Sequence, residues 1–387
     1  MKGGLTMEKQ TKKRVVLGLS GGVDSAASLV RLIEEGYDVV PVFMRNWDSL
    51  TNNDILGNST INDEVCPQEV DYQDAAKVCE VLGIKLERVD FIEEYWNYVF
   101  KYFLEEYERG RTPNPDIMCN KEIKFKAFLN YANKFDCDFI AMGHYARRLD
   151  KDGKVYLLRG VDDNKDQTYF LSQISSYQLS RALFPVGDMK KAEVRALAEK
   201  YHLPVFNKKD STGICFIGER NFHQFLKNYL PAKPGNMVTL DGRVVSQHDG
   251  LMYYTIGQRK GLNIGGLKEF ASGAWFVIGK DLAKNELIIG QGIDNEYLYS
   301  DQALITDLNW FNEAPKENKI YQAKFRYREK DNDVKVKFLE NGNLEVEMLK
   351  PVRAVTPGQA FVLYDGEVCL GGGIIDSAFY KGEKRKY

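Results

Sequence analysis

Residues 15–25 read Val15-Val16-Leu17-Gly18-Leu19-Ser20-Gly21-Gly22-Val23-Asp24-Ser25, and this stretch decides the fold. Val15-Val16-Leu17 is a short apolar run of the kind that forms a strand buried on both faces. From Ala26 to Glu35 the apolar residues Ala26, Ala27, Leu29, Val30, Leu32 and Ile33 recur at helical spacing. A strand, a glycine turn and a helix N-terminus make an anion site. Unpaired backbone N–H groups and the positive end of the helix dipole converge on one spot. Gly21 and Gly22 let the chain turn sharply and let a phosphate approach the backbone. Ser20 and Ser25 add hydroxyl donors. No Gly-Lys-Ser/Thr follows a four-residue gap, so this is not a Walker A loop and lacks its phosphate-gripping lysine.

Working outward, Val39 to Met44 is a second parallel strand, and Met44 at its carboxyl end is placed to meet an adenine or to fill core. Asp48 to Val65 is polar and is expected to be a long, mobile excursion. A helix over Tyr72 to Leu82 and a strand over Leu86 to Phe91 follow. The aromatics between Glu93 and Glu108 are expected to serve core and lid packing. In Gly110-Arg111-Thr112-Pro113-Asn114-Pro115-Asp116 the two prolines argue against helix. A helix is predicted from about Asn120 to Ala132. Cys119 would then sit at its N-terminus beside Lys121 and Lys124, a setting that favours thiolate. Asp116 is within reach to exchange a proton. Phe139 to Met142 is a further strand ending at Gly143-His144, which points into the same crevice as the glycine loop. Asp162 to Gln167 reads as an exposed loop entering a helix, with Lys165 and Gln167 free to meet a phosphate or base edge. Val194 to Tyr201 is an amphipathic helix, and Cys215 lies in a glycine-containing loop.

From Asn221 the αβ alternation stops. Phe222 to Tyr229 is a short helix, and residues 231–292 are glycine-rich with short strands. Tyr253 to Gly261 is basic and aromatic and is expected to touch nucleic acid. From Tyr299 onward, strands about ten residues apart predict a small β-barrel. Lys324, Arg326, Arg328, Lys335 and Lys337 alternate along two of them, which would form one basic face for a phosphate backbone. The alternative is a solvated face balanced by acids.

The chain has 387 residues and a net charge of −2, with 44% hydrophobic residues, so two or three domains with substantial cores are expected. No apolar run reaches membrane-spanning length and no secretory pattern precedes the first strand, so a cytoplasmic protein with no membrane partner is expected. The six cysteines have no paired spacing, which favours one or two reactive thiols over a disulfide framework.

Ser20-Gly21-Gly22-Val23-Asp24-Ser25 resembles the pyrophosphate (PP) loop of N-type ATP pyrophosphatases. Nearly the whole chain, from Arg14 to about Tyr380, resembles the bacterial tRNA-specific 2-thiouridylases. The resemblance rests on Gly18 to Ser25, on Gly110 to Asp116 with Cys119, on Met142-Gly143-His144-Tyr145, and on Lys165-Asp166-Gln167-Thr168-Tyr169. Ser211-Thr212-Gly213-Ile214-Cys215-Phe216 and Thr255-Ile256-Gly257-Gln258-Arg259 complete it. It implies an α/β parallel-sheet, Rossmann-type PP-loop domain over 14–220 after a disordered extension (1–13). A small mixed central domain over 221–295 and a tRNA-binding β-barrel over 296–387 would follow.

The activity implied is 2-thiolation of the wobble uridine, with ATP and Mg²⁺ as cofactors and tRNA as substrate. ATP adenylates O2, and sulfur from a cysteine persulfide displaces AMP. A sulfur donor protein, a cysteine desulfurase or a relay protein, would load the persulfide. By the same resemblance Cys215 carries the persulfide and Cys119 is the nucleophilic partner thiol, with Asp116 our candidate general acid/base. Gly18, Leu19, Ser20, Gly21, Gly22, Val23, Asp24, Ser25, Met44 and Gly143 would bind ATP, and Asn114, Pro115 and Asp116 would line the target base. His144, Lys165, Asp166, Gln167, Arg326, Tyr327, Arg328 and Gln359 would contact tRNA. Two sulfurs so far apart in sequence are expected to need loop movement to meet. Three rival readings are an iron–sulfur thiolase using Asp116, Cys119 and Cys215 as ligands, another PP-loop ATP pyrophosphatase, and a non-catalytic tRNA-binding module.

Overall fold

The computed structural model describes residues 12–210, 213–215, 217–265 and 273–386. Ser211, Thr212 and Phe216 of the cysteine motif, and most of the N-terminal extension, lie outside the described residues.

The first unit is a five-stranded parallel sheet. Its strands are β1 (Arg14–Gly18), β2 (Asp38–Arg45), β3 (Glu87–Asp90), β4 (Phe139–Ala141) and the later, two-residue β7 (Ala182–Leu183), in the order β3-β2-β1-β4-β7. The order reverses between β1 and β4, so the loops leaving these two strands diverge and open a crevice. Alternation along β1 divides the core. Val15 and Leu17 pack under α1 (Val23–Glu34), α2 (Pro67–Leu82) and the later α9 (Lys191–Lys200). Val16 faces a layer of aromatic helices, α3 (Ile92–Tyr95) and α4 (Lys101–Glu108), joined by the π-helical turn Trp96–Phe100. Tyr95, Phe100, Phe103 and Tyr107 are buried there, as expected of core packing.

The remaining helices are α5 (Pro115–Met118), which runs through a π-helical segment Cys119–Ala127 into α6 (Phe128–Ala132), and the short α7 (Thr168–Leu171), α8 (Ser176–Ser180) and α10 (Phe222–Lys227). The helix therefore starts five residues earlier than its sequence suggested. Pro115 occupies the first helical position, where its missing N–H costs nothing, and Asn114 caps it by accepting from Asp116 N at 3.2 Å.

Strands β5 (Ala146–Lys151) and β6 (Lys154–Arg159) form a hairpin turned by Asp152-Gly153, both at positive φ. The central sheet runs β10 (Trp275–Asp281), β11 (Glu286–Gln291), β8 (Gly235–Val238), β9 (Val244–His248). Six antiparallel strands then close the C-terminal barrel: β12 (Tyr299–Trp310), β13 (Tyr321–Lys324), β14 (Asn332–Phe338), β15 (Leu344–Arg353), β16 (Ala360–Asp365) and β17 (Val368–Tyr380). Pairing of β12 with β17 seals it. The β5–β6 hairpin pairs with β17 through Leu158↔Val368, so the barrel's sheet takes in strands from the N-terminal unit.

Two expectations change here. The single basic face does not form. Lys335 and Lys337 lie opposite Glu347 and Glu345 across the β14–β15 pair, which balances them. Lys324 turns toward Asp166, and the Arg326 guanidinium donates to Ile256 O and Thr356 Oγ1. Residues 48–65 dock rather than hang free. Asp54 and Arg220 form a fully buried ion pair at 2.7 Å, Asn221 N donates to Gly57 O, and Tyr229 OH donates to Asn52 O.

Candidate active site

The PP-loop leaves β1 and enters α1 at Gly22, with no side chain capping the helix N–H groups. Such a terminus is open to an anion. Ser25 Oγ accepts from Ser20 N at 3.1 Å and donates to Gly22 O at 3.0 Å, which braces the turn. Gly21 has φ +74°, and a Cβ there would lie 2.2 Å from Asp71 O. A Cβ on Gly143 would lie 2.9 Å from Ser25 N, so the end of β4 packs directly on the start of α1. A Cβ on Gly18 would strike Met142 Sδ at 2.8 Å and Met44 Cε at 2.9 Å, so the two methionines close over the end of β1. Met44 is buried.

Two lysines that sequence reasoning missed reach this loop from far along the chain. Lys191, in the first turn of α9, bridges Asp24 at 2.7 Å and Asp210 at 2.6 Å. Lys208 donates to Gly21 O at 3.1 Å and pairs with Asp71 and Asp74. Asp210 also meets Lys165 and Arg195. Although partial burial opposes it, hydrogen bonds and charge from Lys165 and Lys191 pull the Asp210 carboxyl down to about 2. No local signal marks these lysines, because the loop motif carries no cation of its own.

The two candidate cysteines meet. Cys119 Sγ lies 3.4 Å from Cys215 Sγ, and both are free thiols. They are already in contact, so the expected loop movement is not needed to bring them together. Asp116 Oδ1 accepts from Cys215 N at 3.0 Å, and the buried Tyr95 hydroxyl donates to Cys215 O at 2.8 Å. These two bonds fix the backbone on either side of the Cys215 sulfur.

The electrostatics reverse the expectation for Cys119. Because the helix begins at Pro115, Cys119 lies inside it rather than at its N-terminus. Burial, then its contact with Cys215, pushes the Cys119 thiol well up. Cys215 is held below the usual thiol range, first by the hydrogen bond from Cys119 and then, against burial, by the Lys124 ammonium. The contact and the surrounding charge thus push the two sulfurs in opposite directions, Cys119 up and Cys215 down. Burial raises the Asp116 carboxyl, with the Cys215 N–H and Lys124 opposing it.

The other expected site residues take varied positions. Asn114 and Pro115 start α5 beside Asp116. His144 is buried between Phe125 and Phe184, its Nδ1 unpartnered among the described residues, and burial then Lys124 pushes its pKa well down. Asp166 is not on an exposed loop. It is buried, accepting from Gly160 N at 3.1 Å and from Thr168 Oγ1 at 2.9 Å. Gln167 Oε1 accepts from Tyr145 N, and Gln359 Nε2 donates to Thr112 O and Pro113 O. Tyr327 packs its ring 4.2 Å from that of Phe170, and Arg328 is exposed at φ +62°. Tyr253 and Tyr254 are core residues, leaving Arg259 and Lys260 exposed.

The loop before Cys119 is clamped from two other units. Arg111 pairs with buried Glu106 and with Asp376 on β17, Thr112 N donates to Pro357 O, and Lys280 on β10 donates to Gly110 O. Among the described residues no group of three His, Cys, Asp or Glu is set to hold a metal ion, and Asp116 spends one oxygen on the Cys215 N–H.

Residues 13–219 match the family described as tRNA methyl transferase HUP domain, residues 223–291 its PRC-barrel domain, and residues 300–375 the aminomethyltransferase beta-barrel domain. The chain is 56% identical over 376 residues to the tRNA-specific 2-thiouridylase MnmA of Acholeplasma laidlawii, covering 97% of this chain and 100% of that one. It is 54% identical to the protein of the same name from Lacticaseibacillus paracasei, covering 97% of both chains. Against that from Lysinibacillus sphaericus it is again 54% identical, covering 97% of both.

Proposed function

The chain belongs to the tRNA-specific 2-thiouridylase family, and on that premise we propose that it replaces O2 of the wobble uridine in tRNA by sulfur, consuming ATP. The single observation that carries this reading is the 3.4 Å apposition of Cys119 and Cys215.

A uracil carbonyl oxygen is a poor leaving group, and adenylation makes it a good one. ATP binds on the PP-loop from Gly18 to Ser25, with Met44 and Gly143 shaping the adenine side. The uncapped start of α1 faces the phosphates, and Lys191 and Lys208 stand where the loop's own motif lacks a lysine. Mg²⁺ on the phosphates fits the carboxylate chemistry of Asp24, one-third exposed in the first turn of α1, and would neutralise the departing pyrophosphate. Asn114, Pro115 and Asp116 line the target base, flipped from its stack so that C2 is reachable. Asp116, with its raised pKa, serves as general acid/base.

Cys215 accepts sulfane sulfur from a donor protein, a desulfurase or relay. The terminal persulfide sulfur then attacks C2 and the C–O bond to AMP breaks. Cys119 attacks the Cys215 sulfur, the base keeps the transferred atom, and a Cys119–Cys215 disulfide is left for a dithiol to reduce. In the second route Cys119 attacks first and releases hydrosulfide, which attacks C2; the same disulfide remains. Of the expected tRNA contacts Arg328 is exposed, while Lys165, Gln167 and Tyr327 are partly exposed, Lys165 paired with Asp210 and Gln167 bonded to Tyr145 N. His144, Asp166, Arg326 and Gln359, engaged internally, act on tRNA only by exchanging those bonds or by shaping the surface. The PP-loop unit, central unit and barrel divide near residues 220 and 295, and the enzyme works in the cytoplasm. No helix among the described residues is long and apolar enough to cross a membrane.

The test is a single-turnover assay with ATP, Mg²⁺, unmodified tRNA and a persulfide source, scoring pyrophosphate and 2-thiouridine. Pyrophosphate is expected from wild type, Cys119→Ser and Cys215→Ser, and thiouridine from wild type alone. Thiouridine from either variant, or no tRNA-dependent pyrophosphate, refutes the assignment. Activity that tracks bound iron would favour the cluster reading.

A further inference from the structure

We propose that Gln359 is a positioning residue for the target base: from a turn of the barrel its side chain holds the backbone just ahead of Asn114, Pro115 and Asp116 and sets where those residues stand. The inference rests on the reading of these three as the lining of the base.

The need for an outside hold is written in the sequence. Pro113 and Pro115 have no N–H, so residues 112–115 cannot tie themselves into a helix or a strand ladder. Carbonyls shielded from water still need donors. The barrel supplies them from the turn between β15 and β16. Gln359 Nε2 donates to Thr112 O at 2.8 Å and to Pro113 O at 3.3 Å. Both partners only accept, so it is the amide nitrogen that faces them, with one N–H for each carbonyl. Thr112 N donates in turn to Pro357 O at 2.9 Å. Gly358 has φ +90°, and a Cβ there would lie 3.0 Å from the N, C and O atoms of Thr112. Three consecutive barrel residues therefore grip Thr112 by its N–H, its flank and its carbonyl.

The turn does not use the Gln359 side chain for its own fold. Gln359 N donates to Thr356 O at 3.2 Å, and Ile375 N donates to Gln359 O at 2.9 Å, both through backbone. The start of the turn is braced by Arg326, which donates to Ala354 O and to Thr356 Oγ1. Arg326 leads directly into Tyr327 and the exposed Arg328. One chain of bonds thus runs from the barrel surface, through Arg326 and the turn, to the residues before Asn114. A tRNA seated on the barrel meets a base site held by that same barrel. The resemblance assigned Gln359 to tRNA, but both of its donors are spent on Thr112 and Pro113.

The test compares full-length wild type with Gln359→Leu, which keeps the backbone bonds and loses the donors, and with Gly358→Ala, which presses on Thr112 from the neighbouring residue. Without tRNA, amide exchange in the peptide spanning residues 110–119 is followed by mass spectrometry. Loss of two hydrogen bonds is expected to raise exchange at Thr112 at least about fivefold in Gln359→Leu. With tRNA, the Kd is expected to stay within about twofold of wild type. Single-turnover rates of pyrophosphate release and of thiouridine formation at saturating tRNA are expected to fall together by about tenfold or more, because a misplaced base delays both. Gly358→Ala is expected to show the same split between binding and rate. Weaker tRNA binding with an unchanged rate at saturation makes Gln359 an RNA contact and overturns the proposal. Unchanged exchange at Thr112 overturns it too, as does a rate loss that merely follows the fraction unfolded in urea. The exchange arm needs no tRNA and judges the clamp by itself, while a wild type that releases no tRNA-dependent pyrophosphate refutes the thiolation reading instead.

Discussion

Replacing Asp54 with alanine removes the anchor of residues 48–65. Asp54 is fully buried, and its Oδ2 accepts from Trp47 Nε1 at 3.0 Å and from Arg220 Nε and an Arg220 terminal nitrogen at 2.9 and 2.7 Å. The Arg220 side chain is itself only 5% exposed, so the substitution strands a buried guanidinium. Breaking a buried pair from one side costs about 3–5 kcal/mol. At about 1.4 kcal/mol per decade, the opening constant of this segment rises by about 10²- to 10⁴-fold. That is a large part of the roughly 5–15 kcal/mol that holds a domain folded, so the segment opens locally before the chain unfolds. Arg220 lies five residues after Cys215, and the opening frees one stalk of the sulfur-bearing loop. Native-state hydrogen exchange over residues 48–65 and 217–229 reads the effect directly, and Trp47 emission shifts to the red to the extent that opening lets water reach its buried indole. A paired Asp54→Leu, Arg220→Leu variant removes both charges and is expected to recover most of the loss, because an apolar pair avoids the desolvation cost. Exchange rising by less than about tenfold in Asp54→Ala refutes the reasoning; so does a double variant no better than the single one.

Gly143→Ala places a methyl 2.9 Å from Ser25 N and 3.0 Å from the Asp24 carbonyl carbon. The end of β4 and the start of α1 must part, so ATP affinity is expected to fall at least about tenfold while tRNA binding holds; equilibrium ATP titration checks this, and unchanged affinity contradicts it. Lys280 is buried with one carbonyl partner, Gly110 O, and burial pulls its pKa down to about 7. Between there and the ordinary value of 10.5 the unfolded chain binds more protons than the folded one, so wild-type stability rises with pH over that window. Below it both states are protonated and the burial penalty stands in full. Lys280→Met is therefore expected to be more stable relative to wild type at pH 6 than at pH 9, as read from urea midpoints; a difference independent of pH argues against a buried, titrating Lys280.

The anion loop and the parallel strands were legible because their information is local. Val15 to Ser25 needs only a strand, two glycines and a helix start, and each is written in consecutive residues. The barrel was legible for the same reason, since alternation with turns at regular intervals requires no knowledge of partners. The hairpin of β5 and β6 carried a readable Asp-Gly turn, but its union with β17 was not readable, because pairing across some two hundred residues leaves no mark in either segment.

Charge was where local reading failed. Lys335 and Lys337 look like half of a basic stripe until Glu347 and Glu345 are brought opposite them. Asp166 looks exposed until Gly160 and Thr168 close on it. The 48–65 stretch looks unpartnered until Arg220 arrives. Cys119 looks activated by its neighbours in sequence, yet burial raises it while its contact and Lys124 favour Cys215 as the anion. The sequence by itself determined where backbone N–H groups would converge on phosphate, because that follows from φ, ψ and period alone. Tertiary structure decided that the two sulfurs meet and in which direction burial and contact push each of them. A pKa depends on distance and dielectric, and both are set only when segments remote in the chain are folded against each other.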